Sequence, residues 1–280
     1  MNEKTSADTG ELLALADRAA RAAGALLASF TGRVSVADTK SSPTDVVTEM
    51  DHKAEELIRA RILAERPDDA ILGEEGGQTG DAGGSGVRWV IDPLDGTVNY
   101  LYGLRDWAVS IAAEVSGEVV AGAVCVPRAG ELFTASLGGG AWLTTLTGGE
   151  GDTTRPLSCG PGVPLDRALV ATGFGYRKEV RTVQGEVVAG LLPQVRDIRR
   201  AGSAAVDLCS VAAGRVDGYY ERGLNYWDYA AGALIAGEAG AIVAGLRGPQ
   251  PGPEMIVAAG QHLYVPLCRA LSALTPDRDT

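Results

Sequence analysis

The sequence predicts an α+β protein in which helices and sheets pack in layers. Apolar residues recur at helical spacing over 11–30. Alternating or β-branched runs at 107–115, 118–126 and 131–136 are typical of an antiparallel meander. Beyond residue 164, strand and helix patterns alternate, so the second half of the chain is similar to an α/β arrangement.

Further elements are predicted in the first half. A second helix at 49–65 stops before Pro67, which cannot continue it. The segment 40–45 is predicted to be a loop, and the Gly-rich stretch 76–86 is predicted to be a poorly ordered loop. Residues 88–92 form a short buried strand that we expect to end at Asp92, because a proline follows.

Strands and helices alternate in the second half of the chain. The strands are predicted near 168–172, 195–200, 216–220, 241–243 and 255–258, and the helices near 179–192, 203–213, 226–239 and 262–273. A Gly-, Thr- and Pro-rich stretch at 146–164 is the candidate boundary between the halves. We therefore expect a disordered tail (1–9), an N-terminal α+β half (10–146) and a C-terminal α/β half (147–280) in one compact unit.

The charge balance excludes several classes of protein. The 280 residues include 36 acidic and 25 basic ones, a net charge of −11, which argues against nucleic-acid binding. No apolar stretch has the length of a membrane span, and the polar N-terminus lacks a signal-peptide core, so we expect a cytoplasmic protein. The sequence has no CxxC motif, and its four cysteines are predicted to be free thiols: Cys125, Cys159, Cys209 and Cys268.

The residue types restrict the chemistry. Only two histidines are present, His52 and His262, so a His-rich zinc site is excluded. The sequence has no GxSxG, GxxxxGK or GxGxxG motif. Any metal would be held by oxygen atoms, which favours Mg²⁺, Mn²⁺ or Ca²⁺.

Three acidic segments are the candidate metal ligands: GEEG at 73–76, WVIDPLDGTVN at 89–99 and YWDY at 226–229. In the second segment two carboxylates, three residues apart, can converge with the intervening Leu94 carbonyl. Thr97 then begins a predicted helix, whose N-terminus favours anions. Cation ligands beside an anion site are what metal-assisted phosphate chemistry requires.

Each residue also has a purely structural interpretation. Asp95 with Gly96 is a common turn pair, and Asp228 at a helix start complements the helix dipole. Thr48 and Asp51 fit a capping box. The residues taken singly leave these alternatives open.

Taken together, the segments resemble the inositol monophosphatase family of Mg²⁺-dependent, lithium-sensitive sugar phosphatases. The resemblance rests on DPLDGTVNY, the upstream GEEG, WDYAAGALIAGEAG at 227–240, KSSPTDVVTEMD at 40–51 and RRAGSAAVDLC at 199–209. It covers about residues 11–270 and implies a layered αβαβα sandwich of the inositol monophosphatase or fructose-1,6-bisphosphatase type. A homodimer is also implied.

The resemblance implies two to three Mg²⁺ ions. Glu74, Asp92 and the Leu94 carbonyl would hold the first ion, and Asp92, Asp95 and Asp228 the second. A weaker third ion would rest mainly on Glu74.

The resemblance also implies roles in catalysis and substrate binding. Glu74, Thr97 and Asp51 would orient and deprotonate the attacking water. The implied substrate contacts are Asp95, Gly96, Thr97, Gly202, Ser203, Ala204, Ala205, Glu221 and Asp228, with Lys40 and Asn99 as supporting residues.

The function that follows is hydrolysis of a small anionic sugar or polyol phosphate, with inositol 1-phosphate as the expected substrate. Histidinol phosphate or another sugar phosphate is the alternative, and a non-catalytic regulatory homologue is a more distant one. Asn225 stands where animal family members often have His, which leaves the sugar open. No nucleic-acid or membrane partner is expected.

Overall fold

The computed structural model describes residues 8–30, 36–39, 46–80, 84–148 and 151–278. Its helices are α1 (Thr9–Ser29), α2 (Glu49–Glu65), α3 (Thr97–Leu101), α4 (Lys178–Leu191), α5 (Ala204–Ala212), α6 (Tyr226–Glu238) and α7 (Gln261–Ala273). Its strands are β1 (Val36–Thr39), β2 (Val46–Thr48), β3 (Ala70–Gly73), β4 (Gly77–Thr79), β5 (Val87–Asp95), β6 (Ala108–Val115), β7 (Glu118–Val126), β8 (Glu131–Ser136), β9 (Gly140–Thr145), β10 (Thr153–Pro156), β11 (Leu169–Thr172), β12 (Asp197–Arg199), β13 (Gly218–Glu221), β14 (Ile242–Ala244) and β15 (Ile256–Ala259).

Two larger sheets organise the chain. The first has the order β10-β9-β8-β7-β6-β5-β3-β4 and is antiparallel except for the β3–β5 pair. The second has the order β12-β11-β13-β15-β14, and β11 runs parallel to both of its neighbours. Strands β1 and β2 form a separate antiparallel pair.

Alternation of side chains along the strands builds the layers. One face of the first sheet packs against α1 and α2, and the other packs against α5 and α6. The second sheet covers the far side of α5 and α6 and packs with its other face against α4 and α7. The order is therefore helix, sheet, helix, sheet, helix, which confirms the predicted αβαβα sandwich.

Local sequence signals predicted both end residues of several elements correctly. The structure has helix α2 and strands β7 and β8 with the predicted bounds. The turn between β6 and β7 uses positive φ at both Ser116 (55°) and Gly117 (88°), as a two-residue hairpin turn requires.

Other elements differ from the expectation. Strand β5 does not end at Asp92 but continues to Asp95, with an irregular register between these two residues. Within the Gly-rich stretch 76–86, residues Gly77–Thr79 form β4 instead of a loop, because they pair with β3. Helix α1 begins at Thr9 with Asp8 as its N-cap, so these two residues of the predicted tail are part of the helix start.

The first sheet also extends further than expected. Strand β10 lies inside the predicted boundary stretch and pairs with β9, so this sheet reaches Pro156, past the division predicted at residue 146. Residues 1–7 and the loop 40–45, which includes Lys40, lie outside the described residues. No helix in the described ranges is both long and apolar enough to cross a membrane.

Candidate active site

A cleft of about 570 Å³ opens where β5 ends and α3, α5 and α6 begin. Its volume lies in the ordinary range for a small-molecule site. Ten of the residues implicated by the sequence line it: Glu74, Asp92, Leu94, Asp95, Gly96, Thr97, Gly202, Ala204, Glu221 and Asp228. The structure thus brings together side chains from segments that are far apart in the chain.

The end of β5 presents two carboxylates to the cleft. Asp92 Oδ1 accepts a hydrogen bond from the Leu94 backbone N–H at 3.0 Å, which fixes the turn of the chain between the two acids. Asp95 Oδ2 accepts bonds from the Ser203 hydroxyl and the Ala205 backbone N–H, both at 2.7 Å. The start of α5 therefore holds Asp95 in place.

Gly96 turns the chain from β5 into α3. Its φ of 93° lies in the left-handed region, and an added Cβ would stand 3.0 Å from the Asp106 carbonyl oxygen. Glycine alone fits this position without strain. The turn puts Thr97 at the first position of α3, facing the cleft.

Glu74 follows β3 and is positioned through its backbone. The N–H groups of Glu75 and Gly76 donate to the two Glu55 carboxylate oxygens at 2.8 and 2.7 Å. Glu55 is nearly fully buried and is paired with Arg59 at 2.7 Å. Helix α2 therefore holds the loop that presents Glu74.

Asp51 makes both a helix-capping contact and a contact with a residue of the cleft. The sequence left open which of these two alternatives applies. Its Oδ2 accepts from the Thr48 N–H at 2.8 Å and from the Thr48 hydroxyl, which completes the capping box of α2. Its Oδ1 lies 3.0 Å from the Thr97 hydroxyl oxygen, which is also 3.1 Å from the Leu94 carbonyl oxygen. Asp51 is fully buried, and its hydrogen bond to Thr97 connects it to a residue that lines the cleft.

Asp228 enters from the first turn of α6. Its Oδ2 accepts the Asn225 backbone N–H at 2.7 Å, a helix-capping contact, whereas the sequence indicated only that its charge complements the helix dipole. The same side chain also lines the cleft. The capping role and a role in the site are therefore compatible.

Burial and mutual repulsion raise the pKa values of these acids. For Asp92 and Asp228 the pKa lies well above its ordinary value, first because of burial and then because of the neighbouring carboxylates. Burial raises the pKa of Asp95 to about 6, although Ser203 and Ala205 stabilise the charged form. A concentration of acids that resists ionisation is typical of a cation site.

The donor set fits a hard divalent cation. The candidate ligands are carboxylate oxygens and the Leu94 carbonyl, and no histidine or cysteine lines the cleft. Across the described ranges, no three His, Cys, Asp or Glu side chains are already drawn together into a coordination shell. Since like charges repel, the cation itself would draw the carboxylates closer.

The opposite wall of the cleft is formed by the end of β13. Glu221 accepts the Tyr219 hydroxyl at 2.7 Å, and burial raises its pKa to about 7. An added Cβ at Gly173 would lie 2.0 Å from Glu221 Oε2. The bare backbone of Gly173 thus makes the room that Glu221 occupies.

Arg200 is a cleft residue that sequence reasoning did not identify. Its positive charge lowers the pKa of both Asp95 and Glu221, and its guanidinium lies 5.8 Å from the Phe174 ring centre. Gly202 has a φ of 97°, and an added Cβ there would come within 2.4 Å of Arg200 Nη1. Arg200 is the second residue of the motif RRAGSAAVDLC, two positions before Gly202, so this motif could have indicated it.

Some predicted residues are near the cleft without lining it. Ser203 and Ala205 do not face the space for a sugar ring, because they turn inward to hold Asp95. Asn99 donates to the carbonyls of Asp106 and Ala201 at 2.5 and 2.9 Å, so it ties α3 to the loop before α5. Its supporting role in the site stays a prediction.

Other lining residues had no signal in the sequence. They belong to the segment before α4, the first turn of α4, the loop between β13 and α6, and the loop around Pro253: Phe174, Gly175, Tyr176, Arg177, Val180, Arg222, Leu224 and Pro253. Local patterns do not show that these segments fold back over the carboxylates.

Comparison with known proteins places the chain among phosphatases. The model of the inositol monophosphatase family matches residues 8–274. The inositol-1-monophosphatase SuhB of Mycobacterium tuberculosis is 49% identical over 237 residues, which cover 83% of this chain and 80% of that protein. The Nus factor SuhB of Escherichia coli K12 is 41% identical over 239 residues, covering 85% and 86%.

Solved structures agree with the sequence relatives. Mycobacterium tuberculosis SuhB superposes with a TM-score of 0.80 at 42% identity and covers 98% of this chain and 100% of its own. The IMPase of Thermotoga maritima gives a TM-score of 0.82 at 29% identity, covering 94% and 98%. These matches extend over both halves of the sandwich.

Proposed function

Since the chain belongs to the inositol monophosphatase family, we propose that it hydrolyses phosphate monoesters with the help of Mg²⁺. The observation that supports this most strongly is the meeting of Glu74, Asp92, Asp95 and Asp228 in one cleft beside the start of α3. We infer inositol 1-phosphate as the substrate, in keeping with the name of the Mycobacterium tuberculosis relative, inositol-1-monophosphatase.

The acidic residues would share two to three Mg²⁺ ions. Glu74, Asp92 and the Leu94 carbonyl would hold one ion, and Asp92, Asp95 and Asp228 another, with a weaker third ion on Glu74. When bound, the metal neutralises the phosphate, lowers the pKa of the attacking water and stabilises the leaving alkoxide.

The residues of the chain would orient the reaction. Asp51 accepts the Thr97 hydroxyl proton, so the Thr97 oxygen keeps a lone pair for the attacking water. Glu74, at the same end of the cleft, would receive the proton of that water. The backbone N–H groups of Gly96 and Thr97 would bind phosphate oxygens, since a helix start offers free donors.

The β13 wall would recognise the alcohol part of the ester. Glu221 would accept hydrogen bonds from ring hydroxyls, and the charge of Arg200 partly opposes the rise that burial causes in the pKa of Glu221. Asn225 would complete the ring contacts at the cleft edge. A polyol fits this wall better than an apolar group, because each buried polar residue requires a partner.

A second candidate function comes from the relatives named Nus factor SuhB. A regulatory protein that binds a partner without turnover would have no need for the complete set of carboxylates. We therefore favour the enzyme. The expected homodimer stays a prediction that sedimentation can check.

A phosphate-release panel tests the proposal directly. Inositol 1-phosphate, histidinol phosphate, fructose 1,6-bisphosphate and adenosine 3′,5′-bisphosphate would be compared with and without Mg²⁺. We expect Asp92→Asn to abolish Mg²⁺-dependent release while the protein stays folded, because this residue is shared by both ion sites. We also expect inhibition by Li⁺. Near-normal activity of the Asp92→Asn variant would refute the metal assignment.

A further inference from the structure

A buried ion pair lies on the face of the first sheet that packs against α6. Arg88 of β5 and Glu114 of β6 are direct cross-strand partners. Arg88 Nη2 donates to Glu114 Oε2 at 2.8 Å, and Glu114 is only 7% exposed. A buried carboxylate of this kind is rarely found without several hydrogen-bond partners.

The first residue of α6 completes the cluster. The Tyr226 hydroxyl donates to the same Glu114 Oε2 at 2.8 Å. The Arg88 guanidinium carbon lies 5.8 Å from the Tyr226 ring centre, within the range of a cation–π contact. Arg88, Glu114 and Tyr226 therefore form one connected group, called here the Tyr226 anchor.

The Tyr226 anchor joins the two elements that carry candidate metal ligands. Arg88 and Asp92 lie on the same face of β5, since side chains alternate along a strand and Val90 stands between them. Tyr226 opens α6, and Asp228 follows two residues later in the same helical turn. The hydroxyl bond fastens the start of α6 to Glu114 of β6, and the Arg88–Glu114 pair connects this point to β5, the strand of Asp92.

This bond restrains the first turn of α6. The Tyr226 hydroxyl oxygen lies 2.8 Å from Glu114 Oε2, and Glu114 is buried, so the ring that starts the helix is tied to a buried group of the first sheet. A hydrogen bond to a carboxylate is among the stronger side-chain contacts. Movement of Asp228 away from Asp92 would therefore have to break this bond.

We propose that the Tyr226 anchor is a positioning device that sets the Mg²⁺ affinity of the cleft by holding Asp228 against Asp92. The inference rests on the proposed function, because it takes both acids as ligands. It assigns a role to three residues that touch neither substrate nor metal. They act through the geometry of α6.

The test is Mg²⁺ titration of the full-length Tyr226→Phe variant, which removes one hydroxyl and keeps the ring. Binding is read without substrate from the fluorescence of Trp227, which adjoins Asp228, and by calorimetry. We expect Mg²⁺ binding to weaken about three- to tenfold, the usual effect of one lost hydrogen bond. The kcat at saturating Mg²⁺ should stay close to that of the parent protein.

Tyr264→Phe is the matched control. Its hydroxyl donates to the Gly245 carbonyl at 3.2 Å, on α7 and away from the cleft. This variant loses a comparable hydrogen bond and should bind Mg²⁺ as the parent protein does. Equal midpoints for Tyr226→Phe and Tyr264→Phe would overturn the inference.

A double-mutant cycle strengthens the test. Glu114→Ala removes the acceptor of the Tyr226 hydroxyl, so adding Tyr226→Phe to it should weaken Mg²⁺ binding no further. If Glu114→Ala does not fold, the Tyr226→Phe titration decides alone. No Mg²⁺ response in the parent protein would overturn the proposed function and this inference together, whereas a parent response with an unshifted Tyr226→Phe variant overturns the inference only.

Discussion

Replacement of Ser203 by alanine removes one hydroxyl group that makes two hydrogen bonds, and the effects of losing each bond can be measured separately. The Ser203 Oγ donates to Asp95 Oδ2 at 2.7 Å and accepts the Val206 N–H at 3.2 Å as the N-cap of α5. Loss of an N-cap costs about 1 kcal/mol of stability. Loss of the donor to Asp95 acts instead on the proposed metal site.

The magnitude follows from the pKa of Asp95, which burial raises to about 6. A hydrogen bond to a charged group contributes about 1.5–3 kcal/mol, and solvent in the cleft reduces this to about 1.4 kcal/mol, or about one pKa unit. The Ser203→Ala variant should therefore have a pKa of about 7 at Asp95. Only the carboxylate form binds a cation, so protons compete more strongly in the variant.

This competition has a defined dependence on pH. At pH 6 the variant should bind Mg²⁺ about fivefold more weakly than the parent protein, because most of its Asp95 is protonated there. At pH 8, above both pKa values, the difference should fall to about 1.1-fold. The deficit is thus greatest in acid and disappears as the pH rises.

Mg²⁺ titrations at pH 6, 7 and 8 provide the measurement, with Ser203→Thr as the control. Threonine keeps the hydroxyl, so its Mg²⁺ midpoints should follow those of the parent protein. A Ser203→Ala deficit that is equal at pH 6 and pH 8 would refute the reasoning. It would mean that the hydroxyl acts on geometry and not on the charge of Asp95.

Two further variants test the wall opposite the carboxylates. Gly173→Ala puts a methyl group where Glu221 lies, 2.0 Å from its Oε2, so steady-state kinetics should show a KM for the substrate raised about tenfold with an unchanged Mg²⁺ requirement. Asp207 is 2% exposed, and its pKa is raised to about 8 by burial and then by Glu221 and Asp95. The folded state therefore retains a proton that the unfolded chain loses, and stability falls as the pH rises from about 4 to about 8. Asp207→Asn removes this penalty, so thermal unfolding at pH 8 without metal should show a Tm raised by roughly 2 °C or more.

Most of the fold was predictable from local sequence patterns. The bounds of α2 follow from its capping box and from Pro67, and the β6–β7 turn follows from Ser116 and Gly117. These signals operate over a few residues, so one sequence contains them completely. By contrast, the extension of β5 to Asp95 depends on pairing with β6, and β4 depends on pairing with β3. Strand β4 consists only of Gly77, Gln78 and Thr79, so it has no pattern of alternating side chains that could predict it.

The sequence indicated the candidate ligands of the site but not the residues that hold them in place. The acidic segments could be read from the sequence, and the cleft contains them. The bond between Ser203 and Asp95 spans 108 positions, and Glu55 supports a loop 20 positions away. Such contacts exist only after the layers have packed. Arg200 was missed for the same reason. Its charge lowers the pKa of Asp95 and Glu221 only because β5 and β13 end beside it.

The net charge of −11 has a different meaning once the acids are placed. Asp92, Asp95 and Asp228 have raised pKa values, so their ionisation opposes folding as the pH rises towards neutrality. A divalent cation that binds only the folded carboxylates reverses this effect, by about 2.7 kcal/mol at a concentration 100 times its Kd. The same ion makes the cleft attractive to a phosphate ester that bare carboxylates would repel. Under the proposed function, folding, metal binding and acceptance of an anionic substrate would therefore be linked through one group of side chains, and a net negative charge is compatible with a phosphatase.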